Sequence, residues 1–344
     1  MQDCGPDRWG RGLIDRAVRK KLLAQRPYHD INYVLALDDF SRIGALRFRV
    51  EADGAFLAAG KKPLPPVVRL DALIQATDAI HNETETAKDL RFLLGEGSPL
   101  GGARPKSAVM LPDGRLGIAK FPKPDDTRDI AAGEILALTL ARAAGVTTAE
   151  HHLVTVGARS VAVITRFDRA GAVRLPFISG ATLLGLGTGE SGSYAQLADG
   201  IRRFGHTVSG DLSELWRRMV FSLLASNFDD HLRNHGFLMR ETGHWSLSPA
   251  SVINPVPEVD RVHMSQTAIS EDVEMPSVER ALAVAPRFGL KSAEAKSILR
   301  QVATVVADWQ AVGRRLRLKA TTLSAYASAF DNPYVAETKR LLSS

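Results

Sequence analysis

Ser226-Asn227-Phe228-Asp229-Asp230-His231-Leu232-Arg233-Asn234-His235-Gly236-Phe237-Leu238 is the stretch on which the reading of this chain turns. Upstream of it, Leu212, Leu215, Trp216, Met219, Val220, Leu223 and Leu224 recur at three- and four-residue spacing, which predicts a helix over 211–226. Asp211 suits its N-cap, and Glu214 three residues on completes a capping-box-like start. Downstream, Gly236-Phe237-Leu238-Met239 reads as a strand, with Trp245-Ser246-Leu247 as its expected partner. A packed helix, a dense polar loop and a strand make a rigid scaffold that presents side chains at the loop.

Within the loop, Asp229 and Asn234 enclose four residues. Kinase catalytic loops use the same Asp-x-x-x-x-Asn spacing: the Asp accepts the proton of the acceptor hydroxyl, and the Asn holds a magnesium ion. The alternative is a solvated polar loop with two carboxylates by chance, so the rest of the chain has to decide.

The 344 residues exceed one compact core and suit two or three packed units. A hydrophobic fraction of 45% and a charged fraction of 24% are those of an ordinary globular protein. No apolar run is long enough for a membrane span, and the N-terminus lacks the regions of a signal peptide. The single Cys4 excludes intramolecular disulfides and cysteine-rich zinc sites, and a reducing cytoplasm is the expected location. The net charge of +6 is spread as basic doublets such as Lys61-Lys62 and Arg202-Arg203. That balance suits phosphate-bearing ligands or nucleic acid, although solvated helix faces explain the doublets too. There is no zinc-finger spacing, RNP motif or internal repeat.

Taken in order, the chain opens with a helical pattern through Leu13, Ile14, Ala17, Val18 and Leu22. Residues 45–50 alternate apolar and charged, as a half-buried strand does, and 68–94 look helical through Leu70, Leu73, Ile74 and Ile80. A glycine-rich segment, 95–106, leads into strands at 107–111 and 116–121 joined by Asp113-Gly114. Glycines let backbone N–H groups approach a phosphate, but a flexible surface loop has the same composition. Lys120 ends the second strand, placed to reach nucleotide phosphates or simply to snorkel. Residues 128–144 form a helix closed by Gly145. Its Glu134 matches the acid that orients a kinase's phosphate-binding lysine, and equally an acid favoured near a helix N-terminus. Strands at 152–156 and 160–164 run into Thr165-Arg166-Phe167-Asp168-Arg169, a polar exit where an adenine could meet backbone groups. Helices follow at 194–204, 277–285, 292–316 and 320–330. Strands in the first half and helices in the second predict an α+β fold in two lobes. Residues 1–170 form the N-terminal region with a nucleotide-binding lobe, and 171–344 a mainly helical lobe with the catalytic loop, the nucleotide lying between.

Together these residues resemble the HipA family of bacterial serine/threonine kinases, the toxins of toxin–antitoxin pairs. The likeness runs through 6–11, 39–47, 101–106, 118–122, 166–169, 227–234 and 247–250, in the family's order, over nearly the whole chain. It implies a two-lobed protein-kinase-like fold with ATP and Mg2+ as cofactors. Gly101, Gly102, Ala103, Arg104, Pro105 and Lys106 would form the phosphate loop, and Lys120 would bind nucleotide phosphates. Thr165, Arg166 and Phe167 would be the adenine hinge, with Glu134 orienting the lysine. Asp229 would be the base; His231 and Asn234 would contact nucleotide, and Asn234 would also hold metal. Some members phosphorylate a serine in their own glycine-rich loop; that position falls on Pro99, with Ser98 beside it as the expected acceptor.

The resemblance further implies a type II toxin that transfers the ATP γ-phosphate to a protein hydroxyl. An aminoacyl-tRNA synthetase is the expected kind of substrate and a small helix-turn-helix antitoxin the expected partner. DNA would be met only through that antitoxin, and no membrane is expected. Two departures fall in the site. Phe228 replaces a threonine, and Val252 stands where a magnesium-binding carboxylate belongs. Valine cannot ligate a cation. The alternative reading is therefore an impaired pseudokinase serving as a nucleotide- or antitoxin-binding module. A small-molecule phosphotransferase would share the chemistry and differ in its acceptor. The chain also begins where longer family members have completed a small N-terminal subdomain, an expectation of a truncated or split protein.

Overall fold

The computed structural model describes residues 2–6, 8–58, 66–95, 104–187, 189–261, 266–272 and 275–343. The chain packs as two units, Met1–Ala131 with Glu150–Phe177, and Ala132–Ala149 with Ile178–Ser344.

The first unit begins with helices α1 (Arg8–Arg19), α2 (Asp30–Ala36), α3 (Leu70–His81) and α4 (Ala87–Gly95). Strands β1 (Lys106–Met110), β2 (Leu116–Lys120), β3 (His151–Val156) and β4 (Arg159–Thr165) form an antiparallel sheet in the order β1-β2-β4-β3. Gly114 takes φ +81° in the tight turn between β1 and β2, as the Asp-Gly pair requires. Leu13, Leu70, Leu73, Ile74, Ile80 and Leu90 of the helices pack with Val109, Ala119, Val161 and Val163 of the sheet. A short hairpin, β5 (Arg169–Ala170) with β6 (Val173–Arg174), follows the sheet.

Two expectations change here. The single helix over 68–94 is two, because Glu83 turns left-handed (φ +57°) and Thr86 and Asp89 cap a new start reciprocally. Residues 45–50 form no strand: Leu46 and Val50 are 52% and 83% exposed, and the exposed Arg47 pairs with the buried Asp39 at 2.7 Å.

The second unit holds α5 (Ile130–Ala143), whose first two residues belong to the first unit, then β7 (Phe177–Ser179), α6 (Gly180–Leu183), β8 (Gly192–Ser193), α7 (Tyr194–Phe204) and α8 (Val208–Leu224). After the central loop come β9 (Gly236–Glu241), β10 (His244–Leu247), β11 (Thr267–Ala268), α9 (Val278–Ala283), α10 (Ser292–Ala307), α11 (Trp309–Arg315), α12 (Ala320–Phe330) and α13 (Pro333–Ser343). All seven apolar positions read from the α8 pattern are buried, and Trp216 Nε1 donates to Ala281 O at 3.1 Å. Helix α8 starts three residues earlier than expected. Asp211 is no cap; its carboxylate accepts from the Leu247 N–H and the Thr207 hydroxyl, and Glu214 accepts from the Thr147 N–H and Arg218. Strands β9 and β10 pair as expected, with Ser246 opposite Leu238 and Leu247 opposite Phe237. The helix expected over 292–316 breaks at Asp308, which places the buried Trp309 against Phe330, ring centroids 5.2 Å apart. No described helix is long and apolar enough to cross a membrane. The α+β expectation holds: the four-stranded sheet lies in the first unit, and the second is mainly helical.

Candidate active site

Helix α8 ends on an awkward residue. Ser226 is fully buried with φ +51°, a left-handed backbone that costs a non-glycine residue energy and needs its surroundings to hold it. The C-terminal helices supply the hold. Asn332 Nδ2 donates to Ser226 Oγ (3.0 Å), Leu224 O (2.8 Å) and Ala329 O (2.8 Å), while its Oδ1 accepts the first N–H groups of α13. Arg261 donates to the same hydroxyl at 3.0 Å and lies over the Phe228 ring, 5.2 Å from its centroid. That ring also packs against Tyr334, so the aromatic at a threonine position is buried between partners of its own.

The loop then carries its polar residues at fixed stations. Asn227 Oδ1 accepts the Asn254 N–H at 3.0 Å, tying the loop to the segment that contains Val252. Asn234 Nδ2 donates to Asp229 O at 3.2 Å, a bond that uses the four-residue spacing directly. The Asp229 side chain reaches solvent, and its Oδ1 accepts from Gln266 Nε2 at 2.8 Å. Burial of its surroundings raises the Asp229 pKa, opposed by the charge of His231 and assisted by that of Asp230. Asp230 points the other way, into the interior. Its Oδ2 accepts from the Tyr194 hydroxyl and lies 3.2 Å from His235 Nε2 and 3.4 Å from Ser222 Oγ. Burial acts to raise the Asp230 pKa, yet the His235 charge and the bonds from His235 and Tyr194 outweigh it and hold the group below its ordinary value. His231 Nδ1 is buried with no partner among the described residues.

A small pocket beneath the loop is lined among others by Asn227, Asp230, Asn234, His235, Arg218 and Val252. Val252 and Asn234 therefore line one pocket. A magnesium ion wants several hard oxygen ligands, with carboxylates prominent. Among the described residues no group of three or more His, Cys, Asp or Glu gathers to hold a metal. Glu258 and Asp260, the nearby acids, lie on an exposed turn and are not among the residues lining this pocket. The residues present do not fit a fully ligated magnesium ion.

The remaining candidates distribute as follows. Lys106 and Lys120 are direct cross-strand partners on β1 and β2, both half-buried, so two ammonium groups share one face of the sheet. Arg104 pairs with Asp126, and Pro105 O accepts the Phe121 N–H. Thr165 and Arg166 spend their N–H groups on Glu150 O and Leu116 O at the end of β4. Phe167 is half-buried beside Phe177, and Glu134 is buried on α5 in the second unit. Gly101, Gly102, Ala103 and Ser98 lie outside the described residues.

Arg166 has a role that its place in the chain did not reveal. Its guanidinium is buried against Asp168 (2.8 and 2.5 Å) and donates to the carbonyls of Ser41 and Arg42. Asp168 also accepts from Gly44 N–H and Arg169, and Asp39 takes Arg42, Arg47 and Arg174. The stretches 39–47 and 166–174 are thus two halves of one buried ionic hub. Burial pushes the Asp168 pKa up, but the Arg166 charge and hydrogen bond bring it below normal; Arg169 is lowered to about 10, by burial first and then by Arg166. The residues that sequence reading missed, Gln266, Asn332, Arg261 and Tyr194, are all remote in sequence from the loop they hold.

The chain belongs to the HipA-like C-terminal domain family, which matches residues 98–309. It superposes on a chain of the Shewanella oneidensis MR-1 toxin–antitoxin complex of HipA, HipB and operator DNA with a TM-score of 0.68 and 18% identity, covering 95% of this chain and 82% of that one. The Helicobacter pylori proinflammatory kinase CtkA is a looser likeness, TM-score 0.43 at 16% identity over 63% of this chain and 93% of that one. A Haemophilus influenzae (strain Rd) protein described as a candidate kinase is 25% identical over 191 residues, 48% of this chain and 55% of that protein. The chain thus spans about half the length of the curated relative it matches.

Proposed function

We propose that this chain is a HipA-type kinase that binds ATP and passes its γ-phosphate to a serine or threonine hydroxyl of a protein slowly, because Val252, which lines the same pocket as Asn234, offers no ligand oxygen. ATP supplies the phosphoryl group when bound. Lys106 and Lys120, on the first unit's sheet, supply cationic groups for its phosphates. Asp229 accepts the proton of the acceptor hydroxyl. The observation that carries the reading is the loop itself: a solvent-facing Asp229 fixed through Asn234 on a backbone that α13 braces. As the toxin of a type II pair, the chain would be held by a small helix-turn-helix antitoxin, which would make the DNA contact.

A pseudokinase that binds nucleotide without transfer is the second reading, and Val252 beside Asn234 favours it. Calorimetry tests the ground that both share. Charge-assisted bonds to phosphate contribute about 1.5–3 kcal/mol each, so Lys120→Ala should weaken ATP binding roughly tenfold or more while the fold stays intact. Unchanged affinity would remove Lys120 from the site. Asp229→Asn should bind ATP normally and abolish whatever transfer the chain supports.

A further inference from the structure

Gln266 reaches the catalytic loop from a segment that no sequence pattern connects to it. Its side-chain amide donates to Asp229 Oδ1 at 2.8 Å, and its backbone N–H donates to Phe228 O at 3.2 Å. The next two residues form β11, which pairs in parallel with Gly192 and Ser193 of β8; beyond it Ile269 O accepts the Ala195 N–H at 3.2 Å. Thr267 is buried in that pairing. The backbone of Gln266 is therefore held by its own N–H and by the strand that follows it, and its amide is presented to Asp229. The Asp229 carboxylate meets no second side-chain donor among the described residues; its other tie to the loop is the backbone carbonyl held by Asn234. An exposed aspartate with one anchored oxygen loses rotamer freedom and keeps the other oxygen open.

We propose that Gln266 is a positioning residue for Asp229, holding Oδ1 so that Oδ2 is the oxygen offered to the acceptor hydroxyl. This rests on the reading of Asp229 as the base. Catalytic bases are commonly oriented by a third group in this way, and a base must meet its proton within hydrogen-bond reach. Misplacement by about 1 Å can cost roughly a hundredfold in rate. Gln266 touches neither acceptor nor nucleotide in this scheme, so it acts only through Asp229.

The test is a double-mutant cycle on phosphoryl transfer, run in the unaltered chain and, where its turnover is too slow to resolve, in the Val252→Asp background. Gln266→Ala should lower kcat roughly tenfold or more, leave KM for ATP unchanged and leave the melting temperature within a few degrees. Gln266→Glu, the same shape without the donor, should lose at least as much. Because both residues act at one point, Gln266→Ala added to Asp229→Asn should cause no further loss. Losses that multiply, or a kcat untouched by Gln266→Ala while Asp229→Asn abolishes transfer, would overturn the positioning role and leave the base standing. A rate unaffected by Asp229→Asn would instead bring down the base reading, and this inference with it. So would the absence of transfer in both backgrounds.

Discussion

At the scale of single residues, the loop owes its shape to side chains that arrive from far along the chain. Ser226 cannot hold φ +51° unaided, and Asn332, 106 residues on, satisfies its hydroxyl together with two carbonyls. Asn332→Ala would strand those groups in a buried place, where each unmade bond costs about 1–3 kcal/mol, and would uncap α13 as well. We expect a loss of roughly 3 kcal/mol of stability by urea denaturation, with faster hydrogen exchange across 226–235; a change below about 0.5 kcal/mol would contradict the brace. The spacing of Asp229 and Asn234 made the loop legible in sequence, because that contact is local. Gln266, Arg261, Tyr194 and Asn332 were not legible, because nothing in a linear pattern says which distant polar side chain turns inward. The Asn-Pro pair at 332–333 did carry a local signal for a helix start, N-cap followed by proline at N1, and it went unread.

At the scale of elements, apolar periodicity located α8, the β1–β2 hairpin and the β3–β4 pair, since those patterns are set by burial. It failed over 45–50, where Leu46 and Val50 are exposed and the exposed Arg47 reaches over to the buried Asp39. The same hub gives a pH prediction. A carboxyl whose folded pKa lies below its ordinary value of about 3.9 contributes stability that is fully present above that value and is lost as pH falls through the lower, folded pKa. Asp168 is such a group, so part of the chain's acid unfolding below about pH 4 should trace to it. Asp168→Asn should flatten the pH dependence in that window. It should also cost about 3–5 kcal/mol at neutral pH, because Arg166 and Arg169 would stay buried without their partner. Melting temperatures measured from pH 7 to pH 2 would show both effects; parallel curves for the two proteins would remove Asp168 as their source.

At the scale of the whole molecule, the order of strands then helices and the family landmarks made the α+β class and the HipA-like membership legible. The excess of basic residues had two readings, and the structure turns several arginines to internal use, in the hub and at Arg218. A chain with no DNA-reading motif of its own should rely on a partner for operator recognition. Co-expression with the neighbouring reading frame should yield a stable complex with a small helix-turn-helix protein; specific operator binding by this chain alone would contradict that. The central claim concerns position 252. Val252 lines the pocket of Asn234, where it offers no oxygen to a cation, so phosphoryl transfer should be slow although the Asp229 loop is intact. The most direct measurement is phosphate transfer from radiolabelled ATP by the unaltered protein and by Val252→Asp, side by side. The account expects slow or absent transfer from the first and a rate at least about tenfold higher from the second, a fraction of the roughly hundredfold cost of a misplaced group. Brisk transfer by the unaltered protein, with no gain from Val252→Asp, would contradict it.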